Sequence, residues 1–137
     1  VDESDDATTV SGDELHGIDV DLRDMPDMAQ TLVAVAVFAD SPTTVRGVGF
    51  IRGHETDRIA AVITELARCG IAAEATGDGF VVHPGEPQPA TIETYHDHRM
   101  AMSFALLGLR APGIAIADPG CVSKTFPRFF ETLDALR

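Results

Sequence analysis

An α/β domain assembled from repeated strand–helix units is the fold class that the sequence predicts, on three observations. Segments with apolar residues at strand spacing alternate along the chain with segments at helix spacing. Their order recurs, β-α-β-α-β-β and then β-α-β-α. A shift of seventy residues places Asp27 on Asp97, Pro42 on Pro112, His54 on Lys124, Arg58 on Arg128 and Leu66 on Leu136. Few identities survive the shift, so the matching order of elements carries the reading. In such a domain the helices cover one sheet face or lie sandwiched between sheets.

Each element has its own signal. Leu15, Ile18, Val20 and Leu22 make Leu15–Leu22 a strand. Asp27–Ala39 is a helix, with Asp27 as N-cap after Pro26. Thr43–Val48 is β-branched and extended. Glu55–Cys69 is a helix because Ile59, Val62, Ile63 and Leu66 stand at i, i+3, i+4 and i+7, and Gly70 stops it. Strands over Ile71–Ala75 and Phe80–His83 join in a hairpin at Gly77-Asp78-Gly79, and Pro84–Pro89 is a connection. The pattern then restarts with a strand at Thr91–Thr94, a helix over Asp97–Leu109, a strand at Gly113–Ala117 and a helix over Thr125–Leu136. The two units span about 12–83 and 90–137. The second stops before its closing strands, which a longer parent would supply.

Composition narrows the function. A chain of 137 residues makes one compact domain, burying about two thirds of its unfolded surface. It opens on Val1 rather than Met and is taken as a piece of a longer protein. Net charge is −12 and Lys124 is the only lysine, a field that repels nucleic acid and anionic membranes. Small anions answer to local cations and are not excluded. The acidic residues of the first fifth of the chain, from Asp2 to Asp24, form a solvated lead-in. The apolar run at Leu32–Phe38 falls short of the roughly 20 residues of a membrane helix, and the acidic start is unlike a signal peptide. A cytoplasmic location is expected. Cys69 and Cys121 lack zinc-like spacing and are taken as reduced thiols.

Three stretches set a cation beside an expected helix start: Glu55-Thr56-Asp57-Arg58, Asp97-His98-Arg99-Met100-Ala101-Met102 and Ser123-Lys124-Thr125-Phe126-Pro127. Helix starts carry unpaired N–H groups and partial positive charge, so they favour anions. Arg or Lys adds a full charge on a directed donor. A basic residue in a first turn opposes the dipole, which makes Arg99 and Lys124 independent pointers to an anion. Three such starts converging suit a substrate bearing phosphate and carboxylate.

The wording of two stretches, Asp-His-Arg-Met-Ala-Met and Asp-Pro-Gly-Cys-Val-Ser-Lys-Thr-Phe-Pro, resembles the C-terminal part of the 3-phosphoshikimate 1-carboxyvinyltransferase (EPSP synthase) family, from Gly12 to Arg137. The resemblance implies the inside-out α/β barrel of enolpyruvyl transferases. Two domains of three βαβαββ units each flank a cleft, with this chain holding about two units of the C-terminal domain and the N-terminal domain absent. It implies transfer of the enolpyruvyl group of phosphoenolpyruvate to the 5-hydroxyl of shikimate 3-phosphate with release of phosphate. It also implies neither metal nor organic cofactor, a monomeric parent, and no activity in this piece alone. By motif, Arg58, Arg99 and Lys124 correspond to the phosphoenolpyruvate-binding cations. Asp27 corresponds to the residue that meets the 5-hydroxyl and accepts its proton. Glu55 and Lys124 correspond to the other groups implicated in proton transfer.

Two positions depart from the family wording. His54 stands where many members carry lysine, and titrates near neutrality where lysine stays charged; it is kept as a substrate-side residue. Phe50 stands where an asparagine often contacts the sugar-like substrate.

Plainer readings compete. Asp27 could cap its helix and nothing more. Arg58 could pair with Glu55 or Glu65 on a helix surface. His96, Asp97 and His98 invite a metal, but adjacent side chains diverge. Met100 and Met102 suit core filling, and the two cysteines suit packing or loops. Two rival functions share the pattern: the UDP-N-acetylglucosamine enolpyruvyl transferase of the same fold, and a non-catalytic anion-binding or interaction domain.

Overall fold

The computed structural model describes residues 1–12 and 14–136. Asp13 of the acidic lead-in and Arg137, where the expected second unit ends, lie outside the described residues. The chain opens with an exposed hairpin that no sequence signal announced, β1 (Asp2–Glu3) against β2 (Thr8–Thr9).

A four-stranded sheet follows. It is built from β3 (Asp19–Asp21), α1 (Ala29–Ala36), β4 (Thr43–Arg46), α2 (Arg58–Arg68), β5 (Ala73–Ala75) and β6 (Phe80–Val82). Strand order is β3-β4-β6-β5. β3 runs parallel to β4, which pairs antiparallel with β6, and β6 pairs antiparallel with β5. This is a complete βαβαββ unit, with α1 as the crossover that a parallel pair needs. The chain then makes β7 (Ala90–Ile92), α3 (His98–Leu107), β8 (Ile114–Ile116) and α4 (Phe129–Asp134), with β7 parallel to β8. Among the described residues no barrel closes.

The two crossover helices, α1 and α3, pack against each other, and α2 packs on β5 and β7. The core so formed holds Val33 and Val37 of the α1 segment, Ile59 and Leu66 of α2, Phe80, Ile92, Met100 and Phe104, all buried. Met100 is thus core filling; Met102 is half-buried. Burial of large apolar side chains contributes about 1.5–3 kcal/mol each and holds the helix starts in place.

The order of elements agrees with the pattern, and the ends differ for identifiable reasons. α1 was expected to begin with Asp27 as its cap. Instead Pro26 opens a 3-10 turn over Pro26–Met28, and Asp27 lies inside it with no capping bond. α2 begins at Arg58 rather than Glu55, because Asp57 is the cap: its carboxylate accepts the Ala60 N–H at 3.0 Å. α4 begins at Phe129 rather than Thr125. Pro127 disfavours helical geometry at Phe126, and a 3-10 helix over Pro119–Lys124 occupies the preceding stretch. Lys124 therefore ends one helix instead of starting another. Leu15–Leu22 forms ladder only over its second half, while Leu15 and Ile18 still accept the Asp40 and Thr44 N–H groups at 2.9 and 2.8 Å.

Gly70 ends α2 at φ +74°, where the Ile71 N–H returns to the Leu66 carbonyl at 2.9 Å. A Cβ there would meet only Gln88 Cγ at 3.4 Å, an ordinary contact. Gly70→Ala is therefore expected to cost about 1–2 kcal/mol through backbone conformation alone. Urea unfolding of wild type and variant measures it, and equal midpoints would contradict it.

Candidate functional site

Arg58 is the first residue of α2, and its side chain is only 2% exposed. Nε donates to Asp97 Oδ2 at 2.7 Å, and Nη2 donates to Asp97 Oδ1 at 3.4 Å and to Glu55 Oε2 at 2.8 Å. Nη1 donates to Asp27 Oδ1 and to His54 Nδ1, both at 3.0 Å. Those contacts account for all five N–H donors of a guanidinium.

The other two cations join through the same acids. Arg99, in the first turn of α3, donates from Nη2 to Asp27 Oδ2 at 2.7 Å and from Nη1 to the Asp27 carbonyl at 3.4 Å. Lys124 Nζ donates to Glu55 Oε1 at 3.2 Å. Asp27 thus bridges Arg58 to Arg99, and Glu55 bridges Arg58 to Lys124. Three cations and three carboxylates interleave. The three motifs meet in one place, although the helix-start argument holds only for Arg58 and Arg99.

Charge is held strongly here. Glu55 accepts its own backbone N–H and the Lys124 ammonium, and with Arg58 nearby its carboxyl is pulled down to about 2 against some desolvation. Burial opposes the charge on Arg58, but Asp97, Glu55 and Asp27 outweigh it and raise its pKa. Cys69 and Cys121 both have burial-raised pKa values, so neither is an activated thiolate.

Several expectations change. Arg58 is not a helix-surface residue, and Glu65 is not its partner. Glu65 is fully buried beneath Tyr95, whose hydroxyl donates to it at 2.6 Å. His54 turns its Nδ1 to the Arg58 guanidinium, 3.0 Å from Nη1. Phe50 meets the His54 ring edge-on, with centroids 5.8 Å apart. His96, Asp97 and His98 diverge: His96 is exposed toward Asp118 at 3.4 Å, Asp97 turns in to Arg58, and His98 is buried. Among the described residues no three His, Cys, Asp or Glu side chains are placed to hold a metal ion.

Asp97 is the site residue that sequence reasoning passed over. It is fully buried, clasps Arg58, and caps α3 by accepting the Arg99 N–H at 2.8 Å. The seventy-residue shift that sets Asp27 on Asp97 was the available signal, since both equivalents grip one guanidinium.

The EPSP synthase (3-phosphoshikimate 1-carboxyvinyltransferase) family model matches residues 1–133. The chain belongs to the EPSP synthase family. A 3-phosphoshikimate 1-carboxyvinyltransferase of Nostoc punctiforme is 56% identical over 137 residues, covering 96% of this chain and 32% of that protein. The chloroplastic relative of Brassica napus is 46% identical over 89% of this chain and 24% of its own length. A solved EPSP synthase from Acinetobacter baumannii superposes with a TM-score of 0.81 at 32% identity, over 89% of this chain and 30% of that one. The α/β class is that of this family. The chain spans about a third of the Nostoc relative's length.

Removing Asp97 leaves a buried guanidinium without its main partner, so Asp97→Ala is expected to destabilise by about 3–5 kcal/mol. Chemical unfolding checks this, and a loss near that of a surface substitution would contradict it. Glu55 makes a pH-dependent contribution. Its folded pKa lies below the ordinary 4.5, so its stabilisation is fully present above 4.5 and is lost as pH falls toward about 2. Stability of wild type relative to Glu55→Gln should shrink across that window in stepped-pH unfolding, and a constant difference would refute the assignment.

Proposed function

We propose that this chain is part of an enzyme that transfers the enolpyruvyl group of phosphoenolpyruvate to the 5-hydroxyl of shikimate 3-phosphate and releases phosphate. The observation that carries the reading is the interlock of Arg58, Arg99 and Lys124 through Asp27 and Glu55, in a chain of this family. In the proposal the three cations take the phosphate and carboxylate of phosphoenolpyruvate. The donors of Arg58 are already occupied, so ligand entry displaces Asp27 or Glu55, whose side chains are 48% and 31% exposed and free to swing. A displaced Asp27 accepts the proton of the 5-hydroxyl as that oxygen bonds to C2 of phosphoenolpyruvate. Lys124 delivers a proton to the methylene carbon. Glu55, ionised through its low pKa, is the base-side member of that pair. Elimination then releases phosphate from C2 as Glu55 takes a proton from the methyl group and the C–H electron pair forms the vinyl double bond. His54 lies on the shikimate 3-phosphate side.

The chain is proposed to supply about two βαβαββ units of a C-terminal domain, 12–83 and 90–137, in a monomeric cytoplasmic protein. The remaining units and the N-terminal domain complete the cleft. The relatives' shared 3-phosphoshikimate naming supports the shikimate substrate over a UDP-sugar.

Phosphate release from the two substrates by the full-length protein tests the reading. Lys124→Met should lower kcat by about 10²–10⁴-fold with an unchanged melting temperature, because the side chain is 64% exposed. Turnover is expected only when the chain is joined to the rest of its protein. Absence of phosphate release by the full-length protein, with binding of the anions intact, would favour a non-catalytic anion-binding domain.

A further inference from the structure

Tyr95 and His96 are the only non-glycine residues at positive φ among the described residues, at 57° and 56°. They are the central pair of a turn closed by the Asp97 N–H on the Thr94 carbonyl at 2.9 Å. Two successive positive φ values are what a type I′ turn demands, and Asn or Gly normally supplies them. A tyrosine and a histidine resist that geometry, so something outside the turn must hold it.

Glu65 is that holder. Its Oε1 takes the Tyr95 hydroxyl at 2.6 Å, and its Oε2 takes the Glu93 N–H at 3.0 Å. Arg68 Nε lies 3.2 Å from Oε1 and supplies the countercharge. Glu65 and Arg58 are seven residues apart on α2, two turns along the same face. The helix therefore grips the loop twice: Glu65 at Glu93 and Tyr95, Arg58 at Asp97. The end of that loop caps α3 and sets where that helix begins, and with it the place of Arg99 in its first turn.

We infer that Glu65 and Tyr95 are positioning residues, holding a left-handed turn that aims Asp97 at Arg58 and seats Arg99 beside it. The inference rests on the enolpyruvyl-transfer reading for its kinetic consequence, but not for its geometry. Tyr95 remains a donor over a wide range, since burial and the Glu65 carboxylate raise its pKa to about 12.

The test uses the full-length protein with Tyr95→Phe and Glu65→Gln, and two readouts. In steady-state kinetics both variants should raise KM for phosphoenolpyruvate about five- to tenfold, with KM for shikimate 3-phosphate changed by less than about twofold, because small misplacements of cations weaken the ligand they hold. Adding His96→Gly to Tyr95→Phe should bring the phosphoenolpyruvate KM back toward wild type, since glycine adopts positive φ without the clamp. A lower kcat with both KM values unchanged would mean only a smaller folded fraction, and would overturn the inference. Hydrogen exchange at the Arg58 Nε–H, followed by nitrogen-resolved NMR, needs no turnover. Exchange should quicken about tenfold or more in Tyr95→Phe if the turn holds Asp97 in place, and an unchanged rate would overturn the inference even in a protein with no transferase activity. Should Glu65→Gln fail to fold, Tyr95→Phe with and without His96→Gly carries both readouts.

Discussion

One buried guanidinium organises this chain. Taking a charge out of water costs several kcal/mol unless partners surround it, and Arg58 is surrounded on every donor. Its partners come from the 3-10 turn before α1, from the segment before α2, and from the cap of α3. Satisfying one side chain therefore places three helix starts relative to one another. A buried ion network is weak evidence of stability, because packed apolar groups could often do as well. Its product here is geometry: Arg99 and Lys124 are brought alongside by sharing the same acids.

The seventy-residue shift pairs residues that meet in this cluster. Asp27 and Asp97 are equivalents under the repeat, and they approach Arg58 from two sides while α1 and α3 pack together. Equivalence of residues did not preserve equivalence of environment. Arg128, the counterpart of Arg58, is largely exposed and pairs with Glu131 at 2.7 Å, one helical turn away. The same side chain is an interior organiser at the start of α2 and a solvated surface group before α4. Such exposed pairs contribute little.

Net charge and local charge tell different stories. The excess of acid is spread over the surface and the lead-in, where Asp19 meets Arg46 and Asp21 meets Arg23 in exposed pairs. Within the cluster three carboxylates face three cations, so an entering anion competes with resident acids and need not overcome the whole field. In the proposed reaction Asp27 and Glu55, which hold the cations here, would be displaced by the anion and become the groups that move protons.

The order of strands and helices was legible in the sequence, because apolar spacing is a local property that the chain carries wherever it folds. The hairpin at Gly77–Gly79 and the stop at Gly70 were legible for the same reason. So were Arg58, Arg99 and Lys124 as a group, through motif wording. Helix starts were less so: Asp27 has a capping side chain, but two arginines from distant segments claim its carboxylate, and the cap is lost. The burial of Arg58, the part played by Asp97, the contact of His54 with Arg58 and the clamp of Glu65 on Tyr95 were not legible. Each joins residues through the fold, with Arg58 and Asp97 separated by 39 positions and Tyr95 and Glu65 by 30. A residue's type determines which bonds it can make; only the tertiary structure decides which groups lose their water, and that loss makes one pairing outweigh the others.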